Sequence, residues 1–80
     1  MQIKVLYFAH LKIHTQKEEE IIDLPPHTTA LHLHQLLKQK YPHFLDSKHL
    51  AIAINETYVK PHTKLKEGDT VCFIPPVAGG

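Results

Sequence analysis

A chain of 80 residues has room for one small core and none for a deep catalytic cleft beside it, because so short a chain buries only roughly 60% of its unfolded surface. Nine lysines against eight acids leave a net charge of +1, and there is no arginine; this argues against the basic, arginine-bearing footprint of a nucleic-acid binder. A single cysteine cannot form an internal disulfide, and no run approaches the ~20 apolar residues of a membrane-spanning helix. A cytoplasmic binding or carrier module is the expectation, with no nucleic acid and no membrane among its partners.

Residues 2–8, QIKVLYF, are rich in β-branched and aromatic types and predict a first strand. Alternation puts Ile3, Val5 and Tyr7 on one face and Lys4, Leu6 and Phe8 on the other. The second face is either covered within the domain or meets a partner. Residues 9–17, AHLKIHTQK, show no period and predict a turn or loop. Residues 18–24, EEEIIDL, predict a second strand with a solvated acidic start, from Glu18 to Glu20, suited to a sheet edge. Pro25 and Pro26 end it, since proline cannot donate to a ladder.

The next stretch carries the clearest helical period. Ala30, Leu33, Leu37 and Tyr41 recur at near-helical spacing with Leu36 beside them, while His32, Gln35, Lys38 and Gln39 fall outside. Thr28 and Thr29 are N-cap candidates, Lys38 and Lys40 suit the negative end of the helix dipole, and Pro42 marks the stop. Residues 50–54, LAIAI, predict a short buried strand. Asn55 and Glu56 predict a turn, and Tyr58–Val59 a returning strand ended by Pro61. Gly68 marks a further turn, and residues 70–74, TVCFI, predict the last strand, with Val71 and Phe73 on one face and Cys72 and Ile74 on the other.

This order is β-β-α-β-(β)-β, and its economical packing is one main helix across one mixed sheet of four to five strands, with the first and last strands central and parallel. The predicted fold is α+β, of the β-grasp (ubiquitin-like) type. It spans residues 1–74, followed by an extended, flexible tail over residues 75–80.

That tail reads PPVAGG. Pro75 ends the sheet pairing, and with Pro76 it favours a polyproline-type path that stiffens the stem. At ~3.1 Å per residue, six residues reach roughly 18 Å. Val77 offers an apolar foothold and Ala78 little bulk. Gly79 and Gly80 carry no side chain, so this backbone could thread a narrow channel and approach a reactive centre closely. The group presented there is the carboxylate of Gly80, a poor acyl donor that needs an outside activator. Leu6, Phe8 and Ile74 fall on one face near the root of the tail and are the candidate partner-docking residues.

Three stretches, IKVLYFA at 3–9, LAIAINETYV at 50–59 and KEGDTVCFIPPVAGG at 66–80, resemble the small subunits of molybdopterin synthase, sulfur carriers of the ubiquitin-like β-grasp type. The resemblance covers essentially the whole chain, and the terminal stretch is its specific part. It implies that Gly80 is adenylated by an ATP-using, ubiquitin-activating-type enzyme and converted to a thiocarboxylate. It further implies that Pro75, Pro76, Val77, Ala78 and Gly79 thread into a large synthase subunit, in a heterotetramer of two small and two large subunits. Sulfur would then pass to the cyclic pyranopterin precursor to build the molybdopterin dithiolene. The chain would be a sulfur-donating subunit without a complete active site, binding no permanent cofactor beyond the transient ATP-derived adenylate. Rival readings are a thiazole-forming sulfur carrier of thiamin biosynthesis, a ubiquitin-related protein modifier, and a plain interaction module.

Eight histidines invite a metal reading. His10 and His14 fall in the predicted loop without a third ligand, and His32 and His34 point to different faces of the predicted helix, so no metal site is expected. Cys72, in mid-strand without a neighbouring base, is expected to be a small filler or a passive thiol. Lys60, Lys64 and Lys66 gather near the tail's side of the sheet, either solvated or facing an acidic partner.

Overall fold

The computed structural model describes residues 1–41 and 51–74, apart from the side chains of residues 9, 10 and 14. The elements run β1 (Gln2–Leu6), α1 (Ala9–Thr15), β2 (Glu19–Asp23), α2 (Ala30–Lys40), β3 (Ala51–Ile54), β4 (Thr57–Val59) and β5 (Thr70–Ile74). The five strands form one sheet in the order β2-β1-β5-β3-β4. β1 and β5 pair in parallel, and the remaining pairs are antiparallel. The expected mixed sheet with parallel first and last strands is therefore what the chain forms.

Alternation along each strand decides which face is packed. Ile3, Val5 and Tyr7 are buried together with Val71 and Phe73, Ile52 and Ile54. Against them α2 presents Ala30, Leu33 and Leu37, each fully buried, and the loops add Leu24 and Leu65. Each large aliphatic side chain so buried contributes about 1.5–3 kcal/mol. Leu36, beside the buried stripe in sequence, lies on the outer side of α2 and is exposed.

α2 begins as its sequence predicts. Thr29 is the N-cap, its Oγ1 accepting from the His32 N–H at 3.2 Å and satisfying one orphan amide of the first turn. The Thr28 hydroxyl instead donates to the Pro25 carbonyl at 2.7 Å. The Ala30 and Leu31 N–H groups donate to the carbonyls of Thr63 and Pro61, so the loop before β5 completes the cap. At the other end Tyr41 is extended, with φ −122° and ψ 101°, as the residue before a proline must be. Pro42 itself and Leu50, predicted as helix stop and strand start, lie outside the described residues.

The segment expected to be a loop at 9–17 is instead a helix over Ala9–Thr15. One side chain explains most of it: Leu11 is buried in the core. The Thr15 hydroxyl, also buried, donates back to the Leu11 carbonyl at 2.9 Å. Gln16 ends the helix in the left-handed region at φ 60°, its N–H returning to the Lys12 carbonyl. β1 is correspondingly shorter than the predicted 2–8, because the chain turns into α1 directly after Phe8.

The acidic run at the start of β2 also departs from expectation. Glu18 and Glu19 are exposed, but the side chain of Glu20 is only 10% accessible. Val5 and Glu20 are cross-strand partners, so Glu20 shares the packed face. Its carboxylate accepts from the Tyr7 and Tyr41 hydroxyls at 2.8 Å each, from Lys17 Nζ at 3.3 Å and from Lys40 Nζ. The rings of Tyr7 and Tyr41 meet edge to face, 6.2 Å between centroids. This junction pins the end of α2 to the sheet.

Candidate partner-docking face

The sheet's other face carries no helix among the described residues. Its composition follows from the register. Glu19 lies opposite Leu6, Leu6 opposite Cys72, Cys72 opposite Ala53, and Ala53 opposite Tyr58. Cross-strand partners share a face, so these five residues form one row across all five strands. A second row holds Ile74 and its partner Ala51. Ile74 is a diagonal neighbour of Leu6, within reach of large side chains.

Phe8 extends this surface at one end. Its backbone is still extended, at φ −116° and ψ 152°, so alternation continues past β1: Tyr7 goes into the core and Phe8 goes out, 56% exposed. Phe8 and Leu6 line one surface hollow of about 420 Å³ with Tyr7, Lys12, Glu18 and Glu19. A second hollow of about 340 Å³ is lined by Leu6, Asn55, Glu56, Thr70 and Cys72. Leu6 lines both. The structure thus gathers Leu6, Phe8 and Ile74 on one face, at the end where β5 leads into residue 75.

Two residues of this face were not singled out for docking by the sequence. Tyr58 is 70% exposed, and Ala53 joins it to Cys72. The signal was the alternation of TYV with AIAI across a two-residue turn, which fixes the register once the turn length is known.

Cys72 sits half-buried in the middle of the row. Burial pushes its thiol pKa up, and the nearby Glu56 carboxylate pushes it further. A thiol so placed stays protonated at neutral pH and is a weak nucleophile. Its surroundings fit a passive filler of the surface.

Residues Pro75, Pro76, Val77, Ala78, Gly79 and Gly80 lie outside the described residues, as do the side chains of His10 and His14. Among the described residues, no group of three or more His, Cys, Asp or Glu side chains is placed to hold a metal ion. Nor is any described helix long and apolar enough to cross a membrane.

A mixed sheet in the order 2-1-5-3-4, gripping one main helix, defines a β-grasp protein of the ubiquitin-like type. The profile of the ThiS family matches residues 5–80, and the chain belongs to that family. A molybdopterin synthase sulfur carrier subunit of Chlamydomonas reinhardtii is 41% identical to it, over 100% of both chains. Two solved structures share the fold closely. A putative molybdopterin converting factor subunit 1 from Pyrococcus furiosus is 30% identical with a TM-score of 0.84, covering 95% of this chain and 98% of that one. The other comes from a protein–protein complex of subunits 1 and 2 of the molybdopterin-converting factor of Helicobacter pylori. It is 29% identical with a TM-score of 0.67, covering 100% of both chains.

Proposed function

We propose that this chain is the sulfur carrier subunit of a molybdopterin synthase. The observation that carries the reading is similarity along the full chain, at 41% identity, to a relative bearing that name. It is joined by a sequence that runs from β5 straight into PPVAGG.

In this reading a Gly80 carboxylate oxygen attacks the α-phosphorus of ATP on a ubiquitin-activating-type enzyme, and pyrophosphate leaves. A sulfur nucleophile at the sulfide level (HS⁻) then attacks the acyl carbon and AMP leaves, so that a thiocarboxylate replaces the carboxylate. ATP and the adenylate belong to the activating step, and the chain holds no permanent cofactor. The loaded tail enters the large subunit, with Pro75 and Pro76 stiffening its stem and Val77, Ala78 and Gly79 lining the channel with little bulk. Two loaded chains in turn each pass one sulfur to the cyclic pyranopterin precursor, the two sulfurs form the dithiolene, and water attacks each acyl carbon so that Gly80 returns to the carboxylate for reuse. The chain supplies the sulfur and its delivery, while the large subunit supplies the reaction chamber.

The docking partner in this reading is the large subunit, two of each assembling as a heterotetramer. It sits on exposed Phe8 and half-buried Leu6 and Ile74, apolar side chains that share the sheet's open face. The test is reconstitution with the large subunit, the activating enzyme, ATP, a sulfur source and the pterin precursor. Dithiolene should form with the intact chain and fail with the chain lacking Gly80. Equal product from both would remove the tail from the chemistry. A chain that co-isolates with a thiazole synthase, or that forms conjugates on lysines, belongs to a different pathway.

A further inference from the structure

Of the large apolar side chains exposed among the described residues, Ile13 on α1 is the most exposed, at 71%. β-Branched residues are weak helix formers, and a side chain left in water adds nothing to the core. Single surface hydrophobics are ordinary; what sets Ile13 apart is its neighbourhood. It lines a hollow of about 350 Å³ with Lys12, Gln16, Lys17 and Glu18. Lys12 and Glu18 also line the hollow that holds Phe8 and Leu6, and they pair with each other at 2.9 Å. The two hollows therefore share that ion pair, one holding Ile13 and the other Phe8.

Both side chains are fixed to one frame. Phe8 is the N-cap of α1, and its carbonyl accepts from the Leu11 N–H at 3.0 Å. Leu11 and Thr15 are buried. The Thr15 hydroxyl donates to the Leu11 carbonyl at 2.9 Å and accepts from the Lys17 N–H at 3.2 Å, which fixes the exit from α1. The Tyr7 N–H donates to the Glu18 carbonyl at 2.8 Å, tying that exit to the chain beside Phe8. Side chains held in this way cost little further entropy when a partner buries them. The charges around Ile13 are already matched, Lys12 with Glu18 and Lys17 with Glu20. An apolar centre among paired charges has the anatomy of a contact core with a polar rim, and it fits an apolar pocket on a protein.

We infer that Ile13 is a further anchor of the docking face, carrying it past Phe8 onto α1, and that it seats in an apolar pocket of the protein receiving the C-terminal tail. This rests on the carrier reading, with the large subunit as the receiver.

The test is the affinity for the purified large subunit, measured by calorimetric titration for the intact chain, Ile13→Ala, Ile13→Glu and Ile13→Met. Leu36→Ala, on the outer side of α2, serves as the control. Ile13→Ala should bind about tenfold more weakly, with the loss in the dissociation rate, and Ile13→Glu more weakly still. Ile13→Met, which nearly keeps the volume, should stay within about threefold of the intact chain, and Leu36→Ala should match it. Thermal melting checks that the variants fold; Ile13→Ala should melt no lower, since alanine favours a helix. Its weaker binding should persist from roughly 50 to 500 mM salt, because the contact is apolar. Unchanged affinity in both Ile13→Ala and Ile13→Glu, with Phe8→Asp still weakened, would overturn the inference and leave the carrier reading standing. A loss that disappears at high salt would overturn it too. So would self-association of the intact chain that Ile13→Glu abolishes without changing the affinity for the large subunit, which would make α1 a contact between copies. An intact chain that does not bind the large subunit at all would remove the carrier reading and the anchor with it.

Discussion

Glu20 shows how one side chain can organise an end of the molecule. Burial alone would raise its pKa, but hydrogen bonds from Lys40, Tyr41, Tyr7 and Lys17 outweigh burial and hold it at about 2. Burial first, then the hydrogen bond and charge of Glu20 and the neighbouring Tyr41, push the Tyr7 phenol upward, so it stays protonated. The folded pKa of Glu20 lies below its unfolded value near 4.5. Its contribution to stability is therefore fully present above about pH 4.5 and is lost as pH falls through about 2. Glu20→Gln should cost about 2 kcal/mol near neutral pH and progressively less below pH 4. Thermal melts of both proteins across pH 2–7 would check this; a gap independent of pH would mean that the charge is not what matters. In the sequence Glu20 was indistinguishable from Glu18 and Glu19, because three consecutive acids carry no signal of which one faces the core. Only the register with Val5 makes that choice.

At the scale of elements, the β3–β4 hairpin carries local strain. Asn55 and Glu56 both have positive φ, 51° and 71°, the type I′ geometry of a two-residue hairpin. Asn55 suits it, and its side chain is used twice, donating to Asp69 and accepting from the Thr70 N–H. Glu56 has no such compensation. Glu56→Gly should therefore stabilise the fold by about 0.5–1 kcal/mol, the relieved left-handed strain less the added freedom of the unfolded chain. Asn55→Gly should destabilise it by removing both hydrogen bonds. Denaturant titration of the two variants would show opposite shifts, and shifts of the same sign would contradict the assignment. Most elements were legible in the sequence: β1 had its apolar alternation, and β2, α2 and β5 each had apolar residues with a breaker or cap at an end. α1 was not, for identifiable reasons. Its seven residues include β-branched Ile13 and Thr15, its N-cap Phe8 offers no side-chain hydrogen bond, and its C-cap is Gln16 in place of glycine. Leu11 and Thr15 are buried by tertiary packing, so α1 is a helix imposed by the core rather than by propensity.

At the scale of the whole molecule, the sheet has one packed face and, among the described residues, one open one, which Leu6 and Ile74 share. The alternation that made Leu6 and Phe8 conspicuous was visible in the sequence. The row joining Leu6 through Cys72 and Ala53 to Tyr58 was not, since it depends on β1 lying beside β5, 65 or more positions away in the chain. Phe8→Asp or Ile74→Asp should weaken binding to the large subunit by about tenfold or more while leaving the melting temperature nearly unchanged, because neither side chain belongs to the core. Calorimetric titration of each variant would decide it, and unchanged affinity in both would place the partner elsewhere. Whether Gly80 carries sulfur is read from the intact mass of the chain. That mass would be measured before and after incubation with the activating enzyme, ATP and a sulfur source. The mass should rise by the exchange of one oxygen for sulfur, located at Gly80. An unchanged mass, with an activating enzyme proven competent on another carrier, would contradict it and leave PPVAGG a binding peptide.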